Sequence, residues 1–174
     1  IIISRTDSIG DVILTLPLAK VLKEHFPAMK IAFMGTSYTQ PIISCCEYVD
    51  QFVHVDDFMT GEMTIGGEKA QAILHVFPVK EIARRAKSLS IPLRIGTTNR
   101  LYHWTTCNKL IKLSRKNSDL HEAQLNLKLL EAFGINRLFS QEEIKGLFGF
   151  TRMQPLDETL KKYLHPRKKN LILH

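Results

Sequence analysis

The sequence lacks most of the features that would assign it quickly, and each absence excludes something. No apolar run approaches the roughly 20 residues that a membrane-spanning helix needs. Cysteine is scarce: Cys45, Cys46 and Cys107 are the only three, two of them adjacent. They form neither a disulfide framework nor a pair of pairs at metal-ligand spacing. Reduced thiols in a cytoplasmic protein are the expectation. The chain opens on Ile1-Ile2-Ile3-Ser4-Arg5, with no basic lead-in and no small-residue cleavage site, so no signal peptide is expected. Internal repeats and low-complexity tracts are missing. The dinucleotide fingerprint Gly-x-Gly-x-x-Gly does not occur, and no Gly-Lys-Ser/Thr follows the first strand as it would in a P-loop.

What is present is ordinary in amount and uneven in charge. In 174 residues, 44% are hydrophobic and 24% charged, enough for one well-filled core and short for two. Acidic residues are outnumbered 17 to 24 by lysine and arginine, a net charge of +7. Such an excess favours anionic partners: phosphates, nucleic acid or acidic lipid.

The hydrophobic pattern alternates strands with helices. Ile1 to Arg5 is a continuous β-branched run, as in a strand buried on both faces. Thr6-Asp7-Ser8-Ile9-Gly10 is a turn rich in helix-capping residues. From Asp11 the spacing of Leu14, Leu18, Val21 and Leu22 predicts a helix, with Pro17 either kinking or breaking it. Further strands are expected at Lys30–Gly35, Gln51–Val55, Ala72–Phe77 and Pro92–Gly96. A short helix is expected over Thr39–Cys46 and a basic one over Val79–Leu89. The implied fold class is α/β: a Rossmann-like, doubly wound, mostly parallel sheet.

Two stretches fit this scheme poorly. Asp56 to Gln71 carries Gly61, Gly66 and Gly67 without an amphipathic pattern, although a parallel crossover needs a dozen or more residues, usually helical. It is expected to be a loose loop, or, preferably, a place where residues are missing. Thr97 to Ser118 is expected to be a basic, aromatic-bearing loop with Arg100, Tyr102, His103, Trp104, Lys109, Lys112, Arg115 and Lys116. Beyond it, Asp119-Leu120-His121-Glu122 opens a strongly periodic helix that closes at Gly134, a good residue just past a helix end. Residues 1–165 are expected to form one domain. Residues 166–174 are expected to be a linker and the first strand of a second, truncated one, starting at Asn170-Leu171-Ile172-Leu173-His174.

The turn after the first strand is the most informative position for function, because ligands of doubly wound sheets bind outside the carboxyl ends of the strands. There Asp11 has two readings: an acidic residue favoured by the dipole at a helix start, or a carboxylate that acts on a ligand.

Arg5-Thr6-Asp7-Ser8-Ile9-Gly10-Asp11-Val12-Ile13-Leu14-Thr15-Leu16-Pro17 resembles the opening motif of the ADP-heptose:lipopolysaccharide heptosyltransferases, glycosyltransferase family 9. Three further matches follow in order: Glu47-Tyr48-Val49-Asp50, Pro92-Leu93-Arg94-Ile95-Gly96, and the segment from His121-Glu122 through Leu129-Leu130-Glu131-Ala132-Phe133-Gly134-Ile135. The resemblance implies the N-terminal, acceptor-side half of a GT-B glycosyltransferase. It implies transfer of a heptose from ADP-heptose, a substrate rather than a cofactor, to a lipopolysaccharide core, with inversion and without a metal. No Asp-x-Asp metal motif occurs in the chain. Asp11 takes the place of the catalytic base. Thr6, Ser8 and Gly10 are expected to shape the acceptor pocket, whereas Asp7 departs from the small polar residue expected there.

Lys80, Arg84, Arg100 and Lys109 are candidates to meet phosphates or carboxylates of an anionic glycan acceptor. His75 and His103 are cleft candidates, each equally well read as a structural histidine. Trp104 is read as a stacking or packing residue. The resemblance implies a cytoplasmic setting, with peripheral contact at the inner membrane as one option, and the 174-residue chain alone is expected to be inactive. Two other classes compete: a nucleotide-dependent enzyme of another Rossmann type, and a nucleic-acid-binding module. A basic rim around Asp11 favours the glycan acceptor, and a continuous basic stripe elsewhere favours nucleic acid, which the resemblance does not lead us to expect.

Overall fold

The computed structural model describes residues 1–61, 64–114 and 118–171. Its first strand sets the architecture. Ile1 and Ile3 enter one apolar cluster and Ile2 enters another on the opposite side of the sheet. A strand that is apolar on both faces needs helices on both sides, which is the condition of a parallel sheet.

The elements follow in the order β1 (Ile2–Ser4), α1 (Ile9–Ile13), α2 (Pro17–His25), β2 (Ala32–Gly35), α3 (Gln40–Ser44), β3 (Gln51–His54) and α4 (Val55–Thr60). A small hairpin of β4 (Thr64–Ile65) and β5 (Glu68–Lys69) leads to β6 (Ala72–His75), α5 (Lys80–Ser88), β7 (Leu93–Thr97), α6 (His103–Thr106) and β8 (Lys109–Ile111). The rest is helical: α7 (Glu122–Lys128) running into a 3-10 turn (Leu129–Phe133), then α8 (Gln141–Lys145) and α9 (Glu158–Lys161).

Six strands form one sheet in the order β3-β2-β1-β6-β7-β8, and every neighbouring pair is parallel. Counted within the sheet, this is the 3-2-1-4-5-6 order of doubly wound folds. The chain reverses its direction of travel across the sheet between β1 and β6, so a crevice is expected at their carboxyl ends.

Pro17 breaks the first helical segment. It occupies the first position of α2, where a missing N–H costs no helical bond. Gly134 ends the long helical segment at φ +81°, the left-handed conformation glycine adopts most readily.

The motif around Asp50 has a structural role. Its carboxylate accepts from Lys23 Nζ at 2.6 Å and from the Ile31 amide at 2.7 Å, which ties α2 to the start of β2. Burial acts to raise the Asp50 carboxyl, but these two donors outweigh it and hold the carboxyl below its ordinary value.

Both poorly fitting stretches are built differently from expectation. The crossover after β3 is made by α4 and the hairpin, with Phe58, Ile65 and Ala70 buried in the smaller core. Gly66 and Gly67 both have positive φ, as a two-residue hairpin turn requires, and a Cβ at either would meet nothing within 4 Å. Conformation, not space, calls for these glycines. The basic region after β7 contains the sixth strand, β8, which pairs with β7 from Ile95↔Lys109 to Thr97↔Ile111. It is short and at the sheet edge, with Ile111 buried and Lys109 exposed, so its apolar signal is weak. Arg115 and Lys116 lie outside the described residues.

Every described residue from 151 to 171 is exposed, although Arg152 donates to Val49 O and Glu47 O. Leu156, Leu160, Tyr163 and Leu164 are among the exposed large hydrophobic residues. Of the strand expected from Asn170, Ile172, Leu173 and His174 lie outside the described residues. All three cysteines carry free thiols. No helix among the described residues is long and apolar enough to cross a membrane.

Candidate active site

At the carboxyl ends of β1, β6 and β7 lies a cleft of about 230 Å³ lined by Arg5, Asp7, Asp11, Phe77, Pro78, Arg100 and Glu122. Each strand contributes through the loop that follows it, which places the cleft at the reversal point between β1 and β6. Glu122 comes from the start of α7, which packs against α2.

Asp11 stands in the first turn of α1. Ser8 caps that helix: its hydroxyl accepts from the Asp11 amide at 3.3 Å and donates to Asp11 Oδ2 at 2.7 Å. Asp11 Oδ1 lies 2.8 Å from Arg5 Nη2. The carboxylate is thus held by one oxygen on each side, while its side chain remains 38% accessible. A carboxylate offers about four acceptor positions, so capacity remains for a ligand hydroxyl.

Arg5 is the pivot of the cleft. It is charged, at the end of an apolar strand, and only 4% exposed. Its Nε and Nη2 donate to the two oxygens of Asp7 at 2.8 and 3.0 Å, a bidentate pair. Its Nη1 donates to Glu122 Oε1 at 3.2 Å and to Asn126 Oδ1 at 3.4 Å. Asn126 in turn donates to Leu14 O and Thr15 Oγ1, so α7 grips both the guanidinium and the end of α1.

The two aspartates therefore differ. Asp7, whose role the sequence leaves open, has both oxygens bound side-on by Arg5 and serves as its counterion. Asp11 shares only one oxygen with Arg5 and faces the cleft.

The other expected site residues separate. Arg100, on the loop after β7, is exposed and lines the cleft. Thr6 and Ser8, on the loop after β1, and Gly10, in the first turn of α1, do not line the cleft, and Ser8 touches Asp11 instead. Lys80, Arg84 and Lys109 are exposed but outside it. The expected basic rim reduces to Arg100, set against three carboxylates and the buried Arg5.

His103, expected in the cleft, is fully buried instead. Its Nδ1 accepts from the Thr97 amide at 2.9 Å, and it lies against Gly96, where a Cβ would come within 2.6 Å of that nitrogen. His75 is buried beside it, and burial first, then the neighbouring His103 and Arg94, pushes its imidazole down to about 3. Trp104 is 61% exposed and donates to Thr98 O.

Sequence reasoning missed Arg5 and Glu122 as site residues. A charged residue ending an isoleucine run was a usable sign for Arg5. Glu122 lies in one of the ordered motifs, but only the fold brings it to the cleft.

No family sequence model and no curated protein matches this chain. Solved structures do. A glycosyl transferase family 9 structure from Veillonella parvula DSM 2008 is similar at a TM-score of 0.62 and 18% identity, over 78% of this chain and 41% of that one. The E. coli heptosyltransferase WaaC with ADP is similar at 0.62 and 16%, over 82% and 51%. E. coli ADP-heptose lps heptosyltransferase II is similar at 0.62 and 17%, over 93% and 48%. The chain spans about half the length of these structures. At such identities the likeness is one of fold. The four ordered motifs and the three-dimensional likeness thus point the same way: this chain adopts part of the α/β architecture of the family 9 glycosyltransferases and heptosyltransferases.

Proposed function

We propose that this chain is the acceptor-side half of a cytoplasmic glycosyltransferase, and that it works by direct, inverting, metal-independent displacement. The sugar transferred is a heptose, the donor ADP-heptose, and the acceptor a hydroxyl of a lipopolysaccharide core or related anionic glycan. The observation that carries this reading is the placement of Asp11, an accessible carboxylate fixed at the reversal point of the sheet.

In this mechanism the acceptor hydroxyl donates a hydrogen bond to the Asp11 carboxylate. As the hydroxyl oxygen forms its bond to the anomeric carbon, the O–H proton passes to Asp11. The bond from that carbon to the nucleoside diphosphate breaks, and its electron pair leaves with the diphosphate. The nucleotide-sugar is assigned to the other half of the architecture. Within the cleft, Arg100 supplies the exposed cation for a phosphate or carboxylate of the acceptor. The three carboxylates favour an uncharged hydroxyl next to Asp11.

The test is Asp11→Asn in the enzyme carrying both halves, assayed for transfer from ADP-heptose. General-base catalysis is worth about 10² to 10⁴ in rate, so kcat should fall by that order with substrate KM little changed. Activity within a few-fold of the parent would sink the assignment.

A further inference from the structure

We propose that Arg5 is the positioning residue for Asp11, holding the carboxylate so that its accessible side is presented to the acceptor hydroxyl. The inference rests on Asp11 acting as the base.

Three observations support it. First, the guanidinium is itself immobile. It is 4% exposed and bonded on one side to both oxygens of Asp7 and on the other to Glu122 and Asn126 of α7. A planar fork anchored at both ends presents its remaining edge in one direction only. Second, that edge meets Asp11: Nη2 stands 2.8 Å from Oδ1. Third, Asp11 has few other restraints. Its side chain is 38% accessible and otherwise held by the exposed Ser8 hydroxyl at 2.7 Å. A partly exposed carboxylate on a helix of five residues would swing between rotamers without a fixed partner. Proton abstraction needs the base within hydrogen-bond reach of one hydroxyl, and a misplacement of about 1 Å can cost about a hundredfold in rate. Lysine could supply the charge of Arg5 but not the two-sided anchorage.

The experiment uses the enzyme with both halves and measures kcat, KM and thermal unfolding for Arg5→Lys, Glu122→Gln, Asp11→Asn and the Arg5→Lys/Asp11→Asn double variant. Arg5→Lys is expected to lower kcat by about ten- to a hundredfold while KM for both substrates holds. Glu122→Gln loosens the far anchorage and should lower kcat less, in the same sense. In the double variant the Arg5 substitution should add no loss to that of Asp11→Asn, because Arg5 acts through that carboxylate.

Parental kcat in a folded Arg5→Lys enzyme overturns the inference, as do losses that multiply in the double variant or that appear in KM alone. If Arg5→Lys does not fold, a folded Glu122→Gln enzyme with parental kcat overturns it. Asp11→Asn at parental kcat overturns the general-base reading and this inference together. An inactive Asp11→Asn beside a fully active Arg5→Lys overturns this inference alone.

Discussion

The imidazoles of His75 and His103 stack with ring centroids 5.6 Å apart and planes 30° apart, joining the end of β6 to the start of α6. Both are fully buried, and neither ring nitrogen of His75 has a hydrogen-bond partner among the described residues. Burial lowers both, more than the Thr97 carbonyl, 3.3 Å from His103 Nδ1, can offset at His103. His75 titrates at 6.5 when unfolded and at about 3 when folded. Between those values the unfolded chain binds more protons, so stability falls as the pH drops, by roughly 1 kcal/mol per pH unit. Urea unfolding across that window should show this slope, and His75→Met should flatten it. An unchanged slope in the variant would count against His75 as its source.

Gly96 gives His103 the room to lie on the sheet. A Cβ there would come within 2.6 Å of His103 Nδ1 and 2.8 Å of Cys107 Sγ. Gly96→Ala should destabilise the domain by about 1–3 kcal/mol, the usual cost of overpacking. Adding His103→Ala should recover part of that loss by removing the clash. A thermal midpoint for Gly96→Ala equal to the parent's would disprove the contact.

Gly10 is a different case. A Cβ there would meet only Ser8 Oγ, at 3.9 Å, and the residue lies in α1 with negative φ. The fold has no need of glycine at this position. Gly10→Ala should leave stability unchanged or raise it by up to about 1 kcal/mol. If the acceptor approaches the backbone beside Asp11, its KM should rise in the same variant. A KM equal to the parent's would remove Gly10 from the acceptor site.

Arg100 is exposed and makes no contribution to the core. Arg100→Ala should therefore change stability by no more than about 0.5 kcal/mol. Its effect should fall on acceptor KM, leaving kcat near the parent's, and added salt should weaken the parent's binding toward that of the variant. An acceptor KM indifferent to both the substitution and the salt would show that Arg100 meets no anion.

The legible parts of the fold were those with a long or doubly buried signal. The isoleucine run of β1 reads as a parallel strand because both its faces are covered, and α7 reads as a helix because its apolar residues recur regularly. β8 is three residues of lysine, leucine and isoleucine at an edge, too short for its alternation to outweigh the basic residues around it. The Gly66-Gly67 turn did carry a hairpin signal, but the strands it joins are two residues each. At the site, Asp11 was legible from its loop and the ordered motifs. The ion-pair cluster was not, because Glu122 and Arg5 meet only once α7 packs against α2 and the end of α1. His103 misled for a related reason: nothing in a polar stretch of sequence reveals that Gly96 opens a berth for the ring.

The contact between Arg5 and Glu122 joins residues 117 positions apart. It therefore bears on when the site forms as well as on how it is held. Closing a longer loop costs more entropy, though only slowly with length, and contacts of high sequence separation tend to be made late in folding. The strand carrying Arg5 can pair with β2 over a short span, long before α7 arrives. During refolding Asp11 should thus sit on an assembled sheet before it is aimed, and recovery of the site should lag behind recovery of secondary structure.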